Sequence, residues 1–131
     1  MNEVKAEVVK IDNLENLNIV TLSFGDIPLV MMGLELANGV KIGSMVELSV
    51  KPTHVAIAKE FSGMISFSNK LNARIIGVEN GKLLSSIKLI VGETIFESIV
   101  SLNSSKNMNL QVDDEVTLLI KASELFIRKV L

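Results

Sequence analysis

Hydrophobic and polar positions alternate with a period of two along much of the chain. Val4, Ala6 and Val8 alternate with Lys5 and Glu7 as far as a polar end at Lys10, the pattern of a strand with one buried face. Asp12-Asn13 and Glu15-Asn16 predict a turn, and residues 17–24 return as a second strand. Gly25-Asp26 predicts a hairpin, because Gly tolerates positive φ and Asp can bond its own backbone. Residues 27–32 read as a third strand, with Pro28 at a sheet edge or among the first residues, since Pro has no N–H for a ladder. Residues 33–39 predict one short helical turn closed by Asn38-Gly39. Residues 45–50 and 55–59 are strands four and five, hinged at Lys51-Pro52-Thr53. The same order then recurs: strands at 71–78, 83–91 and 94–100, a short helix near 102–108, and strands at 115–120 and 125–130.

That recurrence is a duplication. MVELSVKPTHVAIAK at 45–59 reappears as EVTLLIKASELFIRK at 115–129, a register of 70 residues. Val46/Val116, Leu48/Leu118, Lys51/Lys121, Ile57/Ile127 and Lys59/Lys129 are identical across it. The beginnings of the copies align at 67 residues instead, Val4 on Leu71 and Val20 on Ile87, so the second copy is 3 residues longer between Gly92 and Leu110. On the 70-residue register Met31 stands in the place of Ser101, and Leu34 in that of Ser104. A period this long is too long for a solenoid unit and suits tandem domains, expected at 1–60 and 65–131. The linker, 60–64, is too short for independent tumbling, so the two units are expected to pack closely. Five strands with a small helix before the fourth predict an all-β fold of two tandem five-stranded OB-like β-barrels, each with one short helix.

Composition narrows the function classes. A unit of about 65 residues is marginal alone because it buries too little surface. The chain is 48% hydrophobic with a mean hydropathy of +0.44, high for 131 residues, which predicts a further buried interface and a homo-oligomer: a trimer of two-domain chains, or a dimer. No apolar run approaches the ~18–20 residues that span a bilayer, and the first residues lack the order of a signal peptide. With no cysteine, disulfide frameworks and thiolate metal sites are excluded, and the expectation is a cytoplasmic protein without a membrane partner. A net charge of −2, no Trp, no Tyr and 5 Phe argue against a nucleic-acid partner.

No catalytic constellation is present, and the chain reads as a non-enzyme. His54 is the sole histidine and reads as a surface or turn residue; Gly25, Gly33, Gly39 and Gly43 are scattered over turns rather than forming a phosphate loop. Asp113-Asp114-Glu115 reads as a solvated connecting turn. Hydroxyls, amides and a lysine are, by contrast, placed for an anion. Ser66, Ser68 and Asn69 open the second copy, Ser101 and Ser104 open its short helix, and Lys121-Ala122-Ser123 forms its hinge. A tetrahedral dianion needs several N–H and O–H donors converging from different segments, with one or two positive charges. The competing reading is that Ser and Asn at element starts serve as caps and turn formers.

The stretch SFSNKL at 66–71 followed by DEVTLLIKAS at 114–123 resembles the Mop, or molbindin, domain family, which opens with Ser-Ala-Arg-Asn and ends in a Glu-Val-Thr-Ala-x-Ile-Lys-Ala-Ser stretch. The second copy carries the resemblance directly and the first through the repeat, so the whole chain is similar to a tandem, di-Mop protein. The resemblance implies binding of molybdate or tungstate, for storage or homeostasis, at sites formed between barrels of an oligomer. Carried over, Ser66, Asn69 and Lys121-Ala122-Ser123 match the motif, Ser101 falls where the family often has Thr or Ser after the third strand, and Ser104 falls in the following helix turn. Lys121 would neutralise charge, the serines and nearby amides would donate, and no side chain would coordinate the metal directly. An alternative is a ligand-sensing domain acting with a separate regulator or transporter ATPase. Ser68 replaces the motif arginine, and the first copy retains Lys51 and Thr53 around Pro52, which donates no N–H. The first copy is thus expected to contribute a hinge lysine without a complete set of donors.

Overall fold

The computed structural model describes all 131 residues. Ten strands form: β1 (Asn2–Leu14), β2 (Leu17–Phe24), β3 (Ile27–Gly33), β4 (Met45–Val50), β5 (Ala56–Ala58), β6 (Asn69–Asn80), β7 (Leu84–Val91), β8 (Thr94–Ser101), β9 (Glu115–Ile120) and β10 (Phe126–Val130). One helix, α1 (Leu102–Asn107), and two single 3₁₀ turns, Pro52–His54 and Ala122–Glu124, complete the chain. The strands make two curled antiparallel sheets ordered β10-β4-β1-β2-β3 and β5-β9-β6-β7-β8, the tandem OB-like barrels that the pattern predicts.

The fifth strands are exchanged. Ala56–Ala58 pairs with β9 of the second copy, and Phe126–Val130 pairs with β4 of the first. Each hinge turn therefore carries the chain from one sheet to the other. The identical lysines that end these strands fasten the exchange: Lys59 Nζ lies 2.9 Å from Asp114 Oδ2, and Lys129 Nζ lies 3.5 Å from Glu47 Oε2. Lys59 also donates to the carbonyls of Met108 (3.1 Å) and Asn109 (2.7 Å) just past α1, where a cation suits the free C-terminal carbonyls. Asp114 is thus a buttress rather than part of a merely solvated turn. Its carboxyl is held below the usual range by the Lys59 hydrogen bond first and the Gln111 N–H second, against partial burial. Because the folded value is depressed, this contribution is complete above the unfolded value and is lost as pH falls through the folded one. Denaturant midpoints measured from about pH 6 to about pH 2 should therefore fall less steeply in Asp114→Asn than in the parent.

The alternating positions fill one core cluster of 23 buried residues that spans both sheets. It is built from repeat pairs: Val4/Leu71, Ala6/Ala73, Val8/Ile75, Val20/Ile87, Leu22/Leu89, Leu29/Phe96, Leu48/Leu118 and Val55/Leu125. The first strand of each copy is bulged at the same place, between Val8 and Lys10 and between Ile75 and Gly77, which turns the side chains beyond it to the other parity.

The helix expected in the first copy does not form; residues 34–39 are irregular. Strand pairing shows why. Asn18 faces Gly33 and Ser85 faces Val100, so the 67-residue register runs to the end of β8 and Leu34, not Met31, stands in the place of Ser101. The 3 extra residues of the second copy lie beyond Ser101, about one helical turn. The first copy lacks both that turn and the capping hydroxyl. Met31 is instead a core residue equivalent to the buried Ser98, whose hydroxyl donates to the Val55 carbonyl.

Candidate functional site

Five of the residues singled out above converge. Ser66, Ser68, Lys121, Ala122 and Ser123 line one cavity of about 350 Å³, whose other wall is Ile19, Val30 and Met32 of the first copy. The exchange produces this meeting, because the second hinge turn packs against β3 of the other sheet while the segment 66–68 runs in beside it. Lys121 is exposed and has no carboxylate partner among the six ion pairs of the fold. Its Nζ lies 5.8 Å from the centre of the Phe67 ring, a cation–π contact from the residue between the two serines. The arrangement offers three hydroxyls and one uncommitted ammonium and places no carboxylate on the cavity wall. It is chemically suited to a small anion.

Other expected residues lie elsewhere. Asn69 is fully buried and its amide is engaged: Nδ2 donates to the carbonyls of Val30 (2.9 Å) and Ile120 (3.1 Å), and Oδ1 accepts from the Val30 N–H at 2.7 Å. Asn2, its repeat equivalent, does the same to Glu97, donating to its carbonyl at 2.8 Å and accepting its N–H at 2.7 Å. Each asparagine thus clasps the third strand of the opposite sheet. Ser101 caps α1, its hydroxyl accepting from the Ser104 N–H at 3.0 Å and bonding the Ser104 hydroxyl, and neither serine lines the Lys121 cavity. Thr53 lines a different cavity with His54, Phe67 and Glu124, and Lys51 is exposed at the head of the first hinge turn.

The repeat equivalent of the cavity is unlike it. Ser86 stands in the place of Ile19 and Glu97 in that of Val30, with the Ser86 hydroxyl donating to Glu97 Oε2 at 2.5 Å. A carboxylate there opposes an anion. The apolar walls Ile19, Val30 and Met32 were not marked by the sequence as site residues, since their alternation reads only as strand. No three His, Asp or Glu side chains converge into a metal-holding group, and no helix is long and apolar enough to cross a membrane.

Comparison with known proteins places the geometry in a family. The TOBE domain family matches residues 65–127. A probable molybdenum-pterin-binding protein of Haemophilus influenzae is 33% identical over 64 residues, which cover 93% of that protein and 48% of this chain. The chain belongs to the molybdenum-pterin-binding, or Mop, family. As a Mop-family chain it carries the unit twice, which is why a nearly whole relative accounts for only half of it. The cytoplasmic molybdate-binding protein ModG, in a crystal form with molybdate bound, superimposes with a TM-score of 0.90 at 23% identity, covering 96% of this chain and 94% of ModG. That likeness shows that the Mop chain shares the ModG fold over its whole length.

Proposed function

We propose that this chain binds molybdate or tungstate in the cavity of Ser66, Ser68, Lys121, Ala122 and Ser123, and that it stores or buffers the anion in the cytoplasm without catalysing a reaction. The observation that carries this reading is the cavity itself: three hydroxyls from two segments surround the one hinge lysine it contains, and no carboxylate competes. A fully deprotonated oxyanion offers only acceptors, which hydroxyl, amide and ammonium donors match. The names of the relatives support the same ligand, one described as molybdenum-pterin-binding and the other as a cytoplasmic molybdate-binding protein.

The cavity is completed in an oligomer. Ile19 and Met32 on its rim are 37% and 40% exposed, an apolar edge beside a polar pocket that a second copy would cover. The two copies contribute unequally: the second supplies the donors, and the first supplies the apolar wall. Calorimetry with molybdate, tungstate and sulfate tests the reading. Saturable binding of molybdate or tungstate is expected; no heat and no thermal shift with any of the three would refute it.

A further inference from the structure

His54 and Glu124 occupy the same position in the two copies, and they meet. His54 Nδ1 lies 2.8 Å from Glu124 Oε2, with the two side chains 37% and 38% exposed. One residue type at both positions would have set like groups against each other; the copies have instead diverged into a complementary pair. The second hinge turn brings Glu124 back to Lys121, whose carbonyl accepts the Glu124 N–H at 3.0 Å, and both side chains border one cavity with His54. Lys121 and Glu124 are therefore placed to pair with each other. They do not: Glu124 is held by His54, and the Lys121 ammonium rests over Phe67. Lys121 also borders two cavities, the one with Ser66, Ser68 and Ser123, and another of about 370 Å³ that contains His54, Phe67 and Glu124.

We propose that His54 is a positioning residue for the anion site: by holding the Glu124 carboxylate it keeps Lys121 uncommitted and available to the anion. This inference rests on the anion-binding reading above. Without His54, Glu124 takes Lys121 as its partner and draws the cation towards the wrong cavity. Its free carboxylate also adds repulsion next to Ser123.

The test uses the full chain with His54→Ala, Glu124→Gln and the double variant. Calorimetry with molybdate should show His54→Ala weakened roughly fivefold, the size of a competing solvent-accessible ion pair. Glu124→Gln should bind no more weakly than the parent, and the double variant should be restored to within about twofold of it. Parent affinity in His54→Ala, or a double variant as weak as His54→Ala, overturns the proposal. Proton NMR of the ligand-free protein reads the same rearrangement independently. The Lys121 ε-methylene protons carry the ring-current shift of Phe67, which His54→Ala should lose and the double variant regain. A shift that stays in place in His54→Ala overturns the proposal even if the parent binds no molybdate. Failure of the parent to bind, by itself, overturns the anion-binding reading instead.

Discussion

Lys121→Ala is expected to weaken molybdate binding about 100-fold and to leave the folded state almost unchanged. A charge-assisted hydrogen bond is worth about 1.5–3 kcal/mol, or roughly 10- to 150-fold in affinity, and the cavity holds no second cation to take over. Lys121 is exposed and makes no ion pair, so its loss removes a cation–π contact worth about 0.5–1 kcal/mol and little else. Lys51→Ala is the matched control, since it removes the identical residue of the other hinge, which lines no part of the cavity. Titration calorimetry and a melting curve on both variants separate the roles. Equal losses at Lys51 and Lys121 would contradict the placement of the site.

Asn69→Ala should do the reverse. It deletes three hydrogen bonds, the one to Ile120 buried and the two to Val30 partly buried, and leaves the Val30 N–H and the Val30 and Ile120 carbonyls without that partner. A buried polar group left unsatisfied costs about 1–3 kcal/mol, so a loss of about 3 kcal/mol is expected after relaxation. For a chain of this length that lowers Tm by about 10 °C. Asn2→Ala should cost a similar amount through the equivalent clasp on Glu97, although neither residue lines the Lys121 cavity. Melting and urea midpoints of both variants check this. Normal stability with lost binding in Asn69→Ala would make Asn69 a ligand contact and not a clasp.

The strands and the core were legible because they rest on local alternation. Val4, Ala6 and Val8 announce a buried face, and the second copy repeats the message at Leu71, Ala73 and Ile75. The exchange of fifth strands was not legible. Ala56–Ala58 and Phe126–Val130 follow equivalent hinges, and a repeat pattern is unchanged whether each strand returns to its own sheet or crosses to the other. The missing helix of the first copy turned on where the 3 extra residues fall, which only strand pairing locates. At the candidate site, Ser66 and Lys121-Ala122-Ser123 were visible through the motif they match, and Ser68 as a hydroxyl beside it although it departs from that motif. Asn69 belongs to the same motif but folds inward, because its alternation with Leu71 and Ala73 sets it on the buried face. Ser101 and Ser104 follow the competing reading of capping residues. The His54–Glu124 pair was hidden although its signal existed: the 70-residue register sets a base against an acid at one repeat position.

The exchange also explains why a duplicated chain need not hold a duplicated cavity. Each hinge turn meets the third strand of the opposite copy, so residues of both copies line the space between them. Val30 and Ile19 present apolar surface beside Lys121, whereas Glu97 and Ser86 set a hydrogen-bonded carboxylate at the equivalent positions. Divergence of the walls, more than of the hinges, makes the two ends different.

The most direct test of the central claim is a crystal grown with molybdate, with anomalous scattering recorded at the molybdenum edge. The account predicts a molybdenum peak in the cavity between the second hinge turn and β3, with oxyanion oxygens within hydrogen-bond reach of the Lys121 ammonium and the Ser66, Ser68 or Ser123 hydroxyls. A peak confined to another part of the chain, or none at saturating molybdate, would contradict it.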